Sequence, residues 1–157
     1  MLKKGLSLLL AVAMLFSLSG CSDMFGGAIL LFMTVTNDRA DKDVIFAFVC
    51  ENEAELLQAI ESGNFSAFEN QGFIQTIDVT NTVVDFYCGG AGFGSSTSYV
   101  GFYYTPTNDM TAIWCAPASA NSLRPSGSGF EWREENGDNR YYTEKICENF
   151  YYYEASF

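Results

Sequence analysis

The sequence predicts an α+β fold: one N-terminal helix packed on a five- or six-stranded antiparallel sheet, stapled by two disulfides. Three observations predict it. Apolar residues recur at three- and four-residue steps between residues 41 and 62. From Phe73 onward, β-branched and aromatic runs alternate with clusters of Gly, Pro, Asn and Ser. Four cysteines, Cys50, Cys88, Cys115 and Cys147, are spread across these segments, an even number that permits two bridges.

The helix is placed at Asp41–Ser62. Ile45, Phe48, Val49, Leu56, Ala59 and Ile60 form its apolar face. Asp41 and Asp43 suit the positive N-terminal end, and Gly63 is a natural stop. A second reading splits the segment into a strand, Val44–Cys50 (VIFAFVC), and a shorter helix capped by Asn52 with Glu55 three residues on. The unbroken periodicity favours one helix.

Strands follow in order. Phe73–Val79 leads through a turn at 80–82 into Val83–Cys88. The run GGAGFGSSTS, Gly89–Ser98, reads as a loop by its glycine and serine content. Tyr99–Thr105 and Met110–Cys115 flank the turn Pro106-Thr107-Asn108-Asp109. Ala116–Gly129 reads as a second loop. Phe130–Glu134 and Arg140–Cys147 flank Asn136-Gly137-Asp138-Asn139, a hairpin signal, and Phe150–Phe157 is the closing strand. A helix lying across one sheet face, as in a cystatin-like or NTF2-like wrap, is the analogy for this order of elements. Of the possible disulfide pairings, Cys88–Cys147 is preferred because both lie in aromatic strand segments, which leaves Cys50–Cys115.

The N-terminus carries an address. A short basic segment, Met1-Leu2-Lys3-Lys4, precedes an uncharged apolar run, Gly5–Phe16, and then Leu18-Ser19-Gly20-Cys21. This order resembles the signal peptide and lipobox of bacterial prolipoproteins. The resemblance covers the first 21 residues. It implies cleavage before Cys21, a diacylglyceryl group on that thiol, and an extracytoplasmic domain lipid-anchored to the cell membrane. An uncleaved anchor is the competing reading, and the apolar run of 12 residues is too short for it, since a spanning helix needs ~20. Met24–Val35 is also apolar and too short to span; it reads as a buried strand, with Asn37–Asp43 as a linker. The chain therefore divides into 1–20, a cleaved signal peptide; 21–40, the anchor region; and 41–157, the α+β domain. The C-terminal run DNRYYTEKICENFYYYE resembles a group of uncharacterised small lipoproteins from Gram-positive anaerobes. That resemblance implies no activity and transfers no site.

Beyond the signal peptide, 6 basic residues face 19 acidic ones, a net charge of −13. Such a surface repels nucleic acid and other polyanions and tolerates a basic partner or a divalent cation. The chain has no histidine, which removes the usual base for a serine or cysteine nucleophile. With no CxxC either, it offers no zinc site. The glycine-rich run has no following helix and no lysine, so it is not a phosphate loop. Asp38, Asp41 and Asp43, or Glu135, Asp138 and Asn139, lack the spacing of a calcium loop. Carboxylates such as Asp85, Glu131, Glu134 and Glu144 could pair for hydrolysis, but no spacing singles out two of them.

Tyrosine is dense in the C-terminal half. Side chains alternate across a strand, so Tyr151 and Tyr153 share one face while Phe150 and Tyr152 take the other. With one set beneath the helix, the other is expected in solvent. Tyr103, Tyr141, Tyr151 and Tyr153 are thus the candidate binding residues, since tyrosine offers large, rigid contact area. The expected function is a non-enzymatic, lipid-anchored surface domain that binds an extracytoplasmic protein or glycan without a cofactor. The alternatives are a carboxylate-dependent hydrolase and an inhibitor of a basic secreted enzyme.

Overall fold

A computed structural model describes residues 39–69, 71–93 and 96–157. The expected signal peptide, the expected lipidation site Cys21 and the strand expected over Met24–Val35 lie outside the described residues.

Two short helices open the described domain: α1, Lys42–Glu51, and α2, Glu53–Ser62. The segment VIFAFVC is helical despite its β-branched and aromatic content, because Ile45 and Val49 bury one face completely. The single helix expected over 41–62 is nevertheless broken at Asn52. Its side-chain amide donates to the Phe48 carbonyl (2.8 Å), the same oxygen that accepts from the Asn52 backbone N–H (3.0 Å). That local competition turns the backbone to φ −118°, ψ 20° and separates the two helices. Gly63 ends α2 in the left-handed conformation (φ 67°).

The sheet has seven strands, one or two more than expected: β1 (Thr76–Thr80), β2 (Val83–Phe93), β3 (Ser96–Tyr104), β4 (Arg124–Ser126), β5 (Gly129–Arg133), β6 (Arg140–Cys147) and β7 (Phe150–Ser156). Their order is β1-β2-β3-β7-β6-β5-β4, antiparallel throughout. The chain leaves β3 in the middle, crosses to the β4 edge, and works back to β7 beside β3.

Three sequence expectations about loops and strands fail: the loop expected over Ala116–Gly129 contains a short 3-10 helix, Ala120–Ser122, and strand β4, and two more fail for identifiable reasons. The described residues of the glycine-rich run, 89–93 and 96–98, are strand and not loop; they supply the end of β2 and the start of β3. A Cβ on Gly90 would stand 2.0 Å from the Ser98 carbonyl oxygen, so glycine lets the two backbones close again after the register shift between Tyr87 and Gly90, which includes Gly89 (φ 114°). Conversely, Met110–Cys115 is not a strand. It lies within an irregular segment, residues 105–123, that packs its apolar side chains down on the sheet.

Each sheet face carries its own core. On one, Ile45, Val49 and Leu56 meet Phe86, Val100, Phe102, Phe150 and Tyr152, with the Phe86 and Phe102 rings stacked 4.5 Å apart. On the other, Tyr103, Tyr141, Tyr151 and Tyr153 are buried with Ile113, Cys115 and Leu123.

The two disulfides are absent: Cys50, Cys88, Cys115 and Cys147 are all free thiols. Both expected pairings are geometrically barred. Cys88 on β2 and Cys147 on β6 are three strand spacings apart in the sheet order, on the order of 14 Å, where a bridge needs Cα atoms within about 7 Å. Cys50 is exposed on α1, on the helix side, while Cys115 is buried in the opposite core. With no disulfide present, the even cysteine count says nothing about redox compartment.

Candidate ligand-binding cleft

The tyrosines expected to face a ligand instead face the chain's own 105–123 segment. Alternation separates Tyr151 and Tyr153 from Phe150 and Tyr152, yet neither set stands in solvent. The tyrosine hydroxyls hold the covering segment from below. Tyr151 donates to the backbone oxygen of Asn108 (3.0 Å) and to its Oδ1 (2.7 Å). Tyr141 donates to the Met110 carbonyl (2.9 Å), and its hydroxyl lies 3.5 Å from that of Tyr103. Tyr153 donates to Asp85 Oδ1 (3.0 Å). Burial raises the hydroxyl pKa of all four, so they remain neutral donors.

Asp85 is the link to the surface. Its second carboxylate oxygen, Oδ2, accepts the indole N–H of Trp114 at 3.0 Å. Asp85 itself is only 8 % exposed, whereas Trp114 is 61 % exposed. The indole also packs edge-on against Tyr99 (5.3 Å between ring centres) and near Phe157 (6.1 Å). An exposed tryptophan is thereby held in one orientation by a buried anion and two rings.

Trp114 forms one wall of a cleft of about 550 Å³, whose other walls include Asp78, Asp85, Thr105 and Thr107. The two threonine hydroxyls are 3.0 Å apart. Asp78 stands directly opposite Asp85 in the β1–β2 ladder, so two carboxylates face one another. Burial lifts Asp85 from its ordinary 3.8 to about 6; the Tyr153 and Trp114 bonds pull it down, and the charge on Asp78 adds to the rise. Of the carboxylates named from the sequence, only Asp85 lines this cleft. Glu144 is bonded to Lys42 and Tyr142, and Glu131 pairs with Arg133 (3.2 Å). Among the described residues no group of three His, Cys, Asp or Glu side chains is placed to hold a metal ion, and no helix is long and apolar enough to cross a membrane.

Sequence reasoning missed Trp114 and Asp78. The Asp78–Asp85 opposition was within reach, because a two-residue turn at Asn81-Thr82 pairs Thr80 with Val83 and, counting back, Asp78 with Asp85. Trp114 was hidden because its segment has no regular structure from which to read a face. No protein-family model, curated protein or solved structure matches the chain.

Proposed function

We propose that this chain is an exported, lipid-anchored domain that binds a neutral envelope glycan in the Trp114 cleft and performs no catalysis on it. The observation that carries the reading is the exposed indole, fixed by Asp85 at the wall of a cleft that mixes apolar surface with hydroxyl and carboxylate groups. An apolar ring face beside hydroxyl and carboxylate acceptors suits a sugar, whose C–H face packs on the ring while its hydroxyls donate to the exposed Asp78 carboxylate and to the threonine hydroxyls. The cleft residues include two aspartates and no basic side chain, which favours an uncharged or amino sugar over an acidic one.

The hydrolase reading draws on the same opposed pair, Asp78 and Asp85, with one pKa lifted towards neutrality. Against it, both oxygens of Asp85 are already occupied by Trp114 and Tyr153, which leaves it poorly placed to exchange a proton with a substrate. Absence of reducing-sugar release from any glycan that the protein retains would eliminate it.

The binding reading is tested by tryptophan-fluorescence titration with N-acetylhexosamine and hexose oligomers, and by retention on insoluble cell wall. Trp114→Ala should weaken binding about 30-fold or more, the ~2 kcal/mol of a central aromatic anchor. Trp132→Phe should leave it unchanged. Equal binding by Trp114→Ala, or no binding of any such glycan by the unaltered protein, would sink the proposal. The anchor is tested separately: Cys21→Ala should lose acyl labelling and membrane retention.

A further inference from the structure

From Arg39 onward the chain has only six basic side chains. Four of them, Arg39, Lys42, Arg133 and Arg140, line a single cavity of about 340 Å³. This concentration is unexpected in a chain with a net charge of −11, where basic residues would lower the overall repulsion best by spreading out. The cavity is on the helix side of the sheet, the face opposite the tyrosine core. Strand alternation places Arg140 on that face with Tyr142 and Glu144, and the register sets Arg133 and Ser156 beside Arg140. Arg39 and Lys42, at the start of α1, supply the other side.

Three of the four cations have internal partners. Arg39 binds Glu154 (2.6 Å), Lys42 binds Glu144, and Arg133 binds Glu131 (3.2 Å). Arg140 has no ion pair or side-chain hydrogen bond with any described residue. It stands directly across the ladder from Arg133, so two arginines occupy opposed positions on one face, Arg133 drawn to Glu131 on its own strand. Like charges in that relation destabilise a sheet. An anion between the two would relieve the repulsion and satisfy the free donors of Arg140.

The charge balance selects the anion. Within the lining and its ion pairs, the four cations are offset by Glu131, Glu154 and Glu144, a surplus of one positive charge, and Glu134 and Asp138 line the adjoining groove beside Arg133 and Arg140, which further disfavours a multiply charged anion. One surplus charge matches a monoanion better than a phosphate dianion. The planar fork of arginine fits a carboxylate in two parallel bonds. The volume is near the lower end for ligand sites, about the size of one sugar ring.

We propose that this cavity binds a small monocarboxylate of single-sugar size, such as a uronic acid, between Arg133 and Arg140. The site is independent of the Trp114 cleft, which lies on the other face and prefers uncharged ligands. Calorimetric titration of the full-length chain with glucuronate, glucose and inorganic phosphate tests it. Glucuronate should bind saturably and raise the melting temperature, and neither glucose nor phosphate should match it. Arg140→Gln should weaken glucuronate binding at least tenfold and abolish the thermal shift, while Lys145→Gln, outside the cavity, should leave both intact. Because Arg140 is exposed and has no ion pair or side-chain hydrogen bond among the described residues, Arg140→Gln should fold and melt no lower than the unaltered protein without ligand. Absence of glucuronate binding, unchanged binding by Arg140→Gln, or tighter binding of phosphate than of glucuronate would each overturn the proposal.

Discussion

Replacing Asp85 with Asn should change how stability depends on pH, and the change can be worked out in sign and size. Asp85 is buried, and its carboxyl titrates at about 6 in the folded chain against 3.8 when solvated. An acid whose pKa is higher folded than unfolded holds its proton more tightly when folded. Its contribution is therefore favourable below pH 4 and is lost as the pH rises through 6. The displacement is about two pH units, and each is worth about 1.4 kcal/mol, so the loss is on the order of 3 kcal/mol. Glu144 and Glu154 act oppositely. Burial alone would raise them, but bonds from Lys42 and Tyr142 to the first, and from Tyr152 and Arg39 to the second, hold both below the ordinary range. Their stabilisation is present above the unfolded pKa and lost as the pH falls. Subtracting the Asp85→Asn curve from that of the unaltered protein cancels these shared contributions. Urea unfolding of both proteins at intervals from pH 4 to 7.5 should give a difference that grows against the unaltered chain by about 3 kcal/mol, mostly between pH 4 and 6. Parallel curves, separated by a constant amount across that range, would refute the assignment of a strained buried carboxylate at position 85.

Two further outcomes follow. Tyr151→Phe removes the hydroxyl that holds Asn108 and should cost about 1 kcal/mol while speeding amide hydrogen exchange within residues 105–123; unchanged exchange there would contradict the pinning role. In the folded protein, without reductant, Cys50 should alkylate first and Cys147, half-buried with its thiol pushed up by burial to about 12, much later. Cys88 and Cys115 should react only after unfolding, when mass spectrometry should count four modified thiols, or five if Cys21 carries no lipid; a lower count would mean that disulfides exist.

Much of the strand framework was legible because period-two patterns and turn residues are local. Arg140–Cys147 has the expected bounds, and Phe150–Ser156 stops one residue short of them. The break at Asn52 is also signalled, since the second reading of 41–62 starts its helix there, although the Asn52 side chain bonds back to Phe48 instead of capping α2; the strand that reading gives Val44–Cys50 is overruled by burial of Ile45 and Val49. What could not be read was what covers the second face. Alternation tells that Tyr151 and Tyr153 share a side, but not that an irregular segment lies over them. The Arg140 cavity was illegible for a related reason. Its residues come from α1 and its approach, β5 and β6, and only the sheet order brings them together. The disulfide expectation failed because strand character does not imply adjacency: β2 and β6 are both aromatic strands, and two others run between them.

The hydroxyls beneath residues 105–123 have an implication for how this protein can vary. Two of the attachments, at Asn108 and Met110, end on main-chain oxygens, which every amino acid supplies. The clasp at Met110 does not depend on the identity of what it grips, while at Asn108 the side-chain oxygen adds a second, residue-specific bond. Side chains on the outer side of the segment can therefore be exchanged with little effect on how the segment is seated. The sheet then serves as a fixed socket, and the stretch around Trp114 as a replaceable insert whose selectivity can drift while its seating stays the same.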